Sequence, residues 1–340
     1  MAVALSVLAP AVPTSNAGSA ERPILHVIYT WPKSEICTVQ PDGADRRCLT
    51  DNRLYEFDPA WSPDGSRIAF VRHLDDPRNP DVWVMDADGR NKVRLTKGPL
   101  DDDSPEWSPD GSRIVWWKSR GDKPVGRLFV MNADGTDKKP LAGRRNDDRF
   151  PQWSPDGSRI AFMSRDTCEG CPLGYHWAIH VIGADGTDER TLTSTETDAI
   201  WPQWSPDSRT IIYTDEGSEE NGQIYAVDAA GGDERRLTNG DGWRVIPAYS
   251  PDGTMIAYTV VVDAENFETR LGVLDLSTGE ERLLTDREVG GVGPTWSQDS
   301  DRITFTGFDS GYDIYVIGAD GSGFTRLTRT NADESELQWW

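Results

Sequence analysis

The amino-acid sequence predicts an all-β fold, a seven-bladed β-propeller built from four-stranded antiparallel blades. An aromatic motif position recurs at intervals of 43 to 51 residues, which is the length of one such blade. Short apolar segments bounded by Gly, Pro and Asp follow each copy in the same order, and helical periodicity is absent. The seven motif positions are Trp61, Trp107, Trp153, Trp204, Tyr249, Trp296 and Trp339.

Residues 57 to 96 illustrate the four strands predicted for each repeat. FDPAW is strand a, RIAFVR is strand b, DVWVMD is strand c and KVRLT is strand d. SPDG forms the turn between strands a and b, because proline presets φ, the Asp side chain binds downstream amides and Gly takes a left-handed conformation. The string WSPDGSRI occurs unchanged at residues 61–68, 107–114 and 153–160. Since catalysis would not need so many copies, we interpret it as scaffold.

The two ends of the sequence are predicted to share one blade. The c-d half of the repeat occurs seven times, starting with EICTVQPDGADRRCLT, whereas the SPDG half occurs six times. The terminal ESELQWW supplies a seventh strand a. Pairing it with N-terminal strands b, c and d would close the ring and remove its open edges. A six-bladed propeller is the alternative if the ends do not pair. Residues 21–340 are thus predicted to form a single propeller domain.

Residues 1–20 are predicted to lie outside the propeller. An apolar run is followed by small residues, with signal-cleavage candidates ending at Ala17 or Ala20. We interpret the segment as a secretory signal without the usual basic start, and a disordered tail is the alternative. The signal interpretation places the mature protein in the periplasm or outside the cell.

Cys37 and Cys48 are predicted to form a disulfide bridge. They lie symmetrically about the Asp-Gly turn of a predicted hairpin, which places them opposite each other on paired strands. A disulfide fits an oxidising compartment outside the cytoplasm.

Cys168 and Cys171 could close a second, small disulfide loop. The alternative is a zinc site formed with His176 and His180, since two thiols and two imidazoles are a suitable ligand set. The two histidines are closer together in sequence than the second ligand pair of such sites usually is, so the disulfide is preferred.

Composition excludes two classes of partner. The formal net charge is -22 and the sequence pI is about 4.5, with no basic patch, so nucleic-acid binding through phosphate neutralisation is not expected. No stretch reaches the roughly 18 apolar residues that a membrane helix requires. We expect a monomer without a membrane span.

The repeat unit P-x-W-SPDG-x-x-I-A-F, continued by I-Y-V-M-D-A-D-G-x-x-x-R-L-T, resembles the WD40-like repeat of the TolB family of bacterial propellers. The resemblance covers residues 24–340 and implies a propeller of the cell envelope. Similar propellers also precede prolyl-oligopeptidase-type hydrolases and form the body of some polysaccharide lyases, so several functions remain open. About 20 residues precede the first predicted strand, and the N-terminal α/β domain of TolB has no counterpart in this sequence.

The predicted strand directions place the a-b and c-d turns on one face, here called the turn face. The b-c and d-a loops lie on the other, the variable face, where the blades differ and where we expect binding. Aromatic residues within acidic loops suit recognition of a protein or a glycan. The candidate binding residues of this face and of the channel mouth are Asp102, Asp103, Glu106, Asp148, Arg149, Phe150, Gln152, Trp201, Gln203, Trp243 and Arg244.

Residue x of P-x-W is predicted to place polar groups near the central channel, with hydrogen bonding to neighbouring backbone as the alternative. These residues are Ala60, Glu106, Gln152, Gln203, Ala248, Thr295 and Gln338. Carboxylates at residues 101–103 and 147–148 could converge to hold a cation of unknown identity. No other cofactor is expected.

Two functions are compatible with these patterns. The favoured one is a non-enzymatic, secreted or envelope-associated propeller that binds a protein partner or a cell-envelope polysaccharide. The alternative is a polysaccharide lyase or glycoside hydrolase with its site at the channel mouth, using Glu106, Asp148, Arg149 and Arg244. No G-x-S-x-G serine-hydrolase motif occurs, and four histidines in non-equivalent blade positions argue against a repeated metal site.

Overall fold

A computed structural model describes residues 22–30, 33–74, 79–120, 123–141, 147–168, 174–194, 198–217, 222–266, 268–286, 289–308, 311–330 and 332–339. Within these ranges the chain forms seven four-stranded antiparallel sheets, which are the blades. No helix in the described ranges has the length and apolar character needed to cross a membrane.

The strands follow the predicted a-b-c-d order along the chain. Blade 1 begins with β1 (Ile24–Thr30), β2 (Lys33–Val39) and β3 (Arg47–Cys48). Blade 2 contains β4 (Tyr55–Trp61), β5 (Arg67–His73), β6 (Pro80–Asp86) and β7 (Val93–Arg94). Blade 3 contains β8 (Asp101–Trp107), β9 (Arg113–Arg120), β10 (Lys123–Asn132) and β11 (Lys139–Pro140). Blade 4 contains β12 (Asp148–Trp153), β13 (Arg159–Thr167), β14 (Tyr175–Gly183) and β15 (Arg190–Thr191).

The remaining strands complete the ring. Blade 5 contains β16 (Ala199–Trp204), β17 (Thr210–Asp215), β18 (Gln223–Asp228) and β19 (Arg235–Arg236). Blade 6 contains β20 (Trp243–Tyr249), β21 (Met255–Asp263), β22 (Glu268–Asp275) and β23 (Glu281–Leu283). Blade 7 contains β24 (Val292–Trp296), β25 (Arg302–Phe308), β26 (Tyr312–Gly318) and β27 (Thr325–Arg326). The last strand, β28 (Asp333–Gln338), returns to blade 1.

The ring closes between the two ends of the described chain, as predicted. Strand β28 pairs antiparallel with β1, with Ser335 opposite Val27 and Asp333 opposite Tyr29. The sheet order β28-β1-β2-β3 makes β28 the strand a of blade 1. Seven blades are therefore confirmed, and the six-bladed alternative is wrong. Neighbouring strands a contact one another around the ring, so they form its inner wall.

Three of the motif tryptophans are hydrogen-bonded to the blade before their own. Trp107 is 2% exposed, and its indole Nε1 donates to Ala60 O at 3.2 Å in the preceding blade. The same bond, at 3.0 Å, links two further pairs, Trp204 with Gln152 O and Trp296 with Ala248 O. Burying a large indole that keeps its hydrogen bond stabilises the blade interface without leaving a polar group unpaired.

The arginine of the motif reaches in the opposite direction, to the following blade. Arg67 lies over the ring of Trp107 at 4.6 Å, and its Nη1 donates to Ala133 O in the next c-d turn. The same stacking recurs for Arg113 on Trp153, Arg159 on Trp204 and Arg302 on Trp339, at 4.7, 5.0 and 5.1 Å. Trp and Arg of one octapeptide therefore serve two successive interfaces, which explains why the string recurs unchanged.

The a-b turn keeps its geometry where its sequence degenerates. Gly65 adopts φ +65°, and Ser208 and Ser300 adopt φ +62° and +63° at the equivalent positions. Asp64 Oδ1 accepts the amide of Ser66 at 3.0 Å, a side-chain bond that supports the turn. A serine is thus forced into a left-handed conformation by the surrounding hairpin.

Cys37 and Cys48 are opposite each other on β2 and β3 and form the predicted disulfide. The bridge ties the short outer strand of blade 1 to its neighbour. Cys171 lies outside the described residues, so the second predicted bridge stays a prediction. Residues 1–20 also lie outside them.

Candidate functional site on the inner strands and the variable face

Each strand a carries a β-bulge three residues before its motif aromatic residue. The register of the a-b pairs shifts there, and the bulged residues have φ between +47° and +63°. Six of the seven are not glycine, although side chains disfavour this conformation. These residues, which we call the bulge ring, are Asp58, Ser104, Phe150, Trp201, Ile246, Gly293 and Glu336.

The bulge ring is chemically asymmetric. Blades 1 to 3 contribute Glu336, Asp58 and Ser104, whereas blades 4 to 6 contribute Phe150, Trp201 and Ile246. Phe150 and Trp201, both predicted site residues, pack against the core cluster between blades 4 and 5. The inner wall therefore has an acidic half and an apolar half.

The acidic half is a hydrogen-bonded cluster that spans three blades. The Asp58 amide donates to Glu336 Oε2 at 2.6 Å, and the Tyr29 hydroxyl donates to the other oxygen of Glu336. Ser104 Oγ donates to Asp58 Oδ2 at 3.2 Å. Burial, with the charge of Asp58, raises the pKa of Glu336 to about 8. Burial and the adjacent Asp58 carboxyl also raise the pKa of Asp103 well above its usual value. Burial therefore favours the protonated form of both carboxyls.

Asp102 and Glu106, two other predicted site residues, are engaged in scaffold contacts. Asp102 is buried and accepts Lys118 Nζ at 2.7 Å and Trp116 Nε1 at 2.6 Å within blade 3. Glu106 Oε2 accepts the Trp153 amide of the next blade at 3.1 Å. Burial raises the pKa of Glu106 well above its usual value, which favours its protonated form.

At two of the P-x-W positions the polar side chain links neighbouring blades. Gln338 Oε1 accepts the Trp61 amide at 2.5 Å, the same bond that Glu106 makes to Trp153. Gln152 and Gln203 occupy the equivalent positions and are buried. For Glu106 and Gln338, the structure thus shows the alternative reading, a hydrogen bond to neighbouring backbone.

Asp148 lies buried at the start of β12, opposite Ser164 on β13 of the same blade. Its Oδ1 accepts Ser164 Oγ at 2.8 Å, while its Oδ2 is buried and has no hydrogen-bond partner among the described residues. Burial raises the pKa of Asp148 to about 7. Asp148 is the predicted carboxylate whose protonation changes near neutral pH.

Arg149 is placed between two indoles. It lies over the rings of Trp117 and Trp177 at 5.4 and 5.5 Å, and its Nη2 pairs with Asp147 at 2.8 Å. Its side chain is 37% exposed. This stack joins blades 3 and 4 at their variable face.

Trp243 and Arg244 have different environments although they are adjacent. Trp243 is 38% exposed at the start of β20. Arg244 is buried, pairs with Glu281 Oε2 at 3.0 Å and donates Nη1 to Gly242 O at 3.0 Å. Trp243 is therefore available to a partner, whereas Arg244 holds the loop that presents it.

Two exposed aromatics of the variable face were not among the predicted site residues. Phe308 and Tyr312 flank the b-c loop of blade 7, are 57% and 36% exposed, and have ring centroids 5.2 Å apart. Val262, which is 42% exposed, precedes the b-c loop of blade 6. Together with Trp243 they are the exposed apolar residues at the variable-face ends of blades 6 and 7, a set that we call the blade 6/7 patch. The signal for them is the sequence GFDSGYD, with an aromatic residue on each side of a tight loop.

No group of three or more His, Cys, Asp or Glu side chains is arranged to hold a metal ion in the described ranges. His180, considered for zinc, instead pairs with Asp166 at 3.0 Å and Glu189 at 3.6 Å. Cys171, one of the two cysteines in the zinc hypothesis, lies outside the described residues.

These features define a closed seven-bladed propeller in which many polar groups of the inner strands support the scaffold and one face carries an apolar patch. The chain belongs to the TolB beta propeller family, since the model of the TolB beta propeller domain matches residues 7–242 and 168–340. The family resemblance predicted from the repeats is confirmed.

Solved structures show the same fold in proteins of different activity. TolB from Acinetobacter baumannii is 18% identical with a TM-score of 0.58, and the match covers 93% of this chain and 66% of that protein. The β-propeller domain of the Trilobed protease from Pyrococcus furiosus is 14% identical (TM-score 0.69), covering 92% and 94%. Oligogalacturonate lyase from Vibrio parahaemolyticus is 12% identical (TM-score 0.67), covering 92% and 87%.

At these identities the similarity establishes the fold alone. The chain spans just under two thirds of the length of the A. baumannii TolB. A search of curated proteins found no match.

Proposed function

We propose that this protein is a non-enzymatic binding scaffold of the cell envelope or exterior, which engages a protein partner through the variable face. The observation that carries the proposal is the blade 6/7 patch, where Trp243, Phe308 and Tyr312 stand exposed on two adjacent blades. Exposed Trp and Tyr are typical of the residues that dominate binding energy at protein interfaces. The disulfide between Cys37 and Cys48 supports a location in an oxidising compartment.

The contacts of three of the four predicted catalytic groups favour binding over hydrolysis or elimination. Glu106 accepts a backbone amide, Arg244 is paired with Glu281, and Arg149 is stacked between two indoles. An acid or base in catalysis has to reach the substrate proton directly or through one water. Groups held this tightly by the scaffold are poorly placed for that role.

Charge selects the kind of partner. The chain has a net charge of -22, so a partner with a basic surface around an apolar contact would be attracted and oriented before docking. We expect association to slow as salt increases, whereas the apolar contact itself would keep dissociation slow.

The test is affinity capture from an envelope fraction, followed by measurement of the dissociation constant for the protein that is captured. We expect Trp243→Ala and Phe308→Ala each to weaken binding by about tenfold or more, because interface aromatics contribute most of the binding energy. Phe324→Ala is the matched control, since Phe324 is 45% exposed but lies in a c-d turn on the opposite face.

Equal binding by all three variants would place the interface elsewhere and contradict the proposal. A panel of envelope and plant-type polysaccharides is run in parallel. Release of shorter or unsaturated products would instead establish the enzymatic alternative, and glycan binding without products would replace the protein partner by a polysaccharide.

A further inference from the structure

A cavity of about 420 Å³ lies on the turn face, around the c-d turn of blade 4. Three arginines line it, Arg113 from blade 3 and Arg159 and Arg190 from blade 4. The turn contributes Asp185 and Asp188 to the same lining. Because the variable face is on the other side of the propeller, this cavity is separate from the proposed partner site.

The strand partner of Arg159 differs from that of its counterpart in blade 2. In blade 2, Arg67 is directly opposite Asp86 in the strand pair β5-β6. In blade 4, the equivalent Arg159 is opposite Gly183. Blade 4 therefore has no carboxylate at this strand-paired position.

No carboxylate lies within ion-pair distance, 4.0 Å, of the Arg113 or Arg159 guanidinium among the described residues. The nearby carboxyl of Asp185 is directed to its own turn, where its Oδ1 accepts the Thr187 hydroxyl at 2.7 Å and the Thr187 amide at 3.0 Å. These bonds are the main reason that the pKa of Asp185 is lowered, and the charge of Arg113 adds a smaller effect.

The two inner guanidiniums are fixed before any ligand arrives. Arg113 is stacked on Trp153 at 4.7 Å, and its Nη1 donates to Ala184 O at 2.8 Å. Arg159 is stacked on Trp204 at 5.0 Å, and donates Nη1 to Ala229 O at 3.0 Å and Nη2 to Ser208 O at 2.7 Å. A guanidinium has five N–H donors, so these contacts leave donors for an anion. Little side-chain entropy remains to be lost on binding.

We propose that this cavity binds a small anionic group, a carboxylate or a phosphate, held between the fixed guanidiniums of Arg113 and Arg159 and the exposed Arg190 at the rim. Planar guanidinium donors suit both anions, which they bind through paired hydrogen bonds. Asp185 and Asp188 on the same lining repel extended polyanions, so a compact group with one or two charges fits best.

The experiment is calorimetric titration of the whole chain with inorganic phosphate and, separately, with glutarate, at low ionic strength. The two probes distinguish a phosphate ligand from a carboxylate ligand. We expect saturable binding of at least one of them, weakened about tenfold or more by Arg113→Gln, because a charge-assisted contact is lost. Arg190→Gln changes an exposed side chain, whose Nη1 donates to Ala230 O at 3.3 Å, and is expected to weaken binding several-fold.

Arg67→Gln is the matched control. Arg67 makes the same two contacts as Arg113, a stack on the next Trp and a bond to the next c-d turn, but does not line the cavity. Binding that is unchanged in this variant and weakened in the other two supports the site. Absence of saturable binding by either probe, or equal loss in Arg67→Gln, would overturn the proposal.

Discussion

At the scale of single residues, the repeated octapeptide shows which contacts a sequence reveals and which it conceals. The turn chemistry of SPDG was predictable, because Ser, Asp and Gly act within six residues of one another. The stack of Arg67 on Trp107 was not, since its partners are in different blades and forty residues apart. The same limit applies to the contacts of a predicted site residue such as Glu106. Glu106 looks free in sequence, but its partner is an amide in the next blade.

Glu106 gives a prediction about stability and pH. Burial raises the pKa of Glu106 in the folded protein above its value in the unfolded chain. Between the two pKa values the folded protein keeps a proton that the unfolded chain has released. The contribution of Glu106 to stability therefore declines as pH rises through the folded pKa. Glu106→Gln keeps the acceptor, as Gln338 does at the same position, and removes the titration. We expect the variant to be more stable than the parent chain at pH 8 and nearly unchanged at pH 4.

The measurement for Glu106→Gln is urea unfolding at both pH values. Gln152→Glu is the mirror-image control, since it adds a buried carboxyl at the equivalent position of the next blade. It should lower the free energy of unfolding at pH 8. A gain from Glu106→Gln that is the same at both pH values would show that titration is not its cause.

At the scale of strands, the predicted elements agree with the structure but their inner bulges were not foreseen. Asp, Ser, Phe, Trp, Ile, Gly and Glu occupy the bulge ring, so residue type carries no signal. Six of them also precede proline, which favours an extended conformation rather than a left-handed one. The closed ring of strands imposes this geometry, and a ring is a property of all seven blades together.

The shortest strands provide a prediction at this scale. Strand β3 has two residues, and the disulfide between Cys37 and Cys48 links it to β2 across a separation of 11 residues. Replacing both cysteines by alanine should lower the free energy of unfolding by about 3 kcal/mol, mainly by freeing the unfolded chain. Thermal unfolding with and without reductant measures this. Reductant should destabilise the parent chain more than the double variant, and an equal effect on both would contradict a structural role for this bridge.

At the scale of the whole molecule, closure and charge act in opposite directions. A net charge of -22 favours expansion of the ring through repulsion between like charges. On the inner strands this repulsion is reduced, because a raised pKa favours protonation of Glu336 and because Asp102 is paired with Lys118. Closure depends on β28, which brings Glu336 to the Asp58 amide and Gln338 to the Trp61 amide. Trp339, 1% exposed, fills the core between blades 1 and 7.

Removing residues 331–340 deletes strand a of blade 1, which contacts blade 2 on one side and blade 7 on the other. The ring should therefore open at blade 1. We expect a large fall in melting temperature, and Trp339→Ala alone should cost about 3–5 kcal/mol, the range for deleting a large buried aromatic side chain. A chain that lacks only residue 340 keeps β28 and is the control. Adding the peptide 331–340 to the truncated protein should restore part of the lost stability, because the strand pairs with β1 without needing a covalent link. An unchanged melting temperature after truncation would mean that β28 does not hold the ring closed.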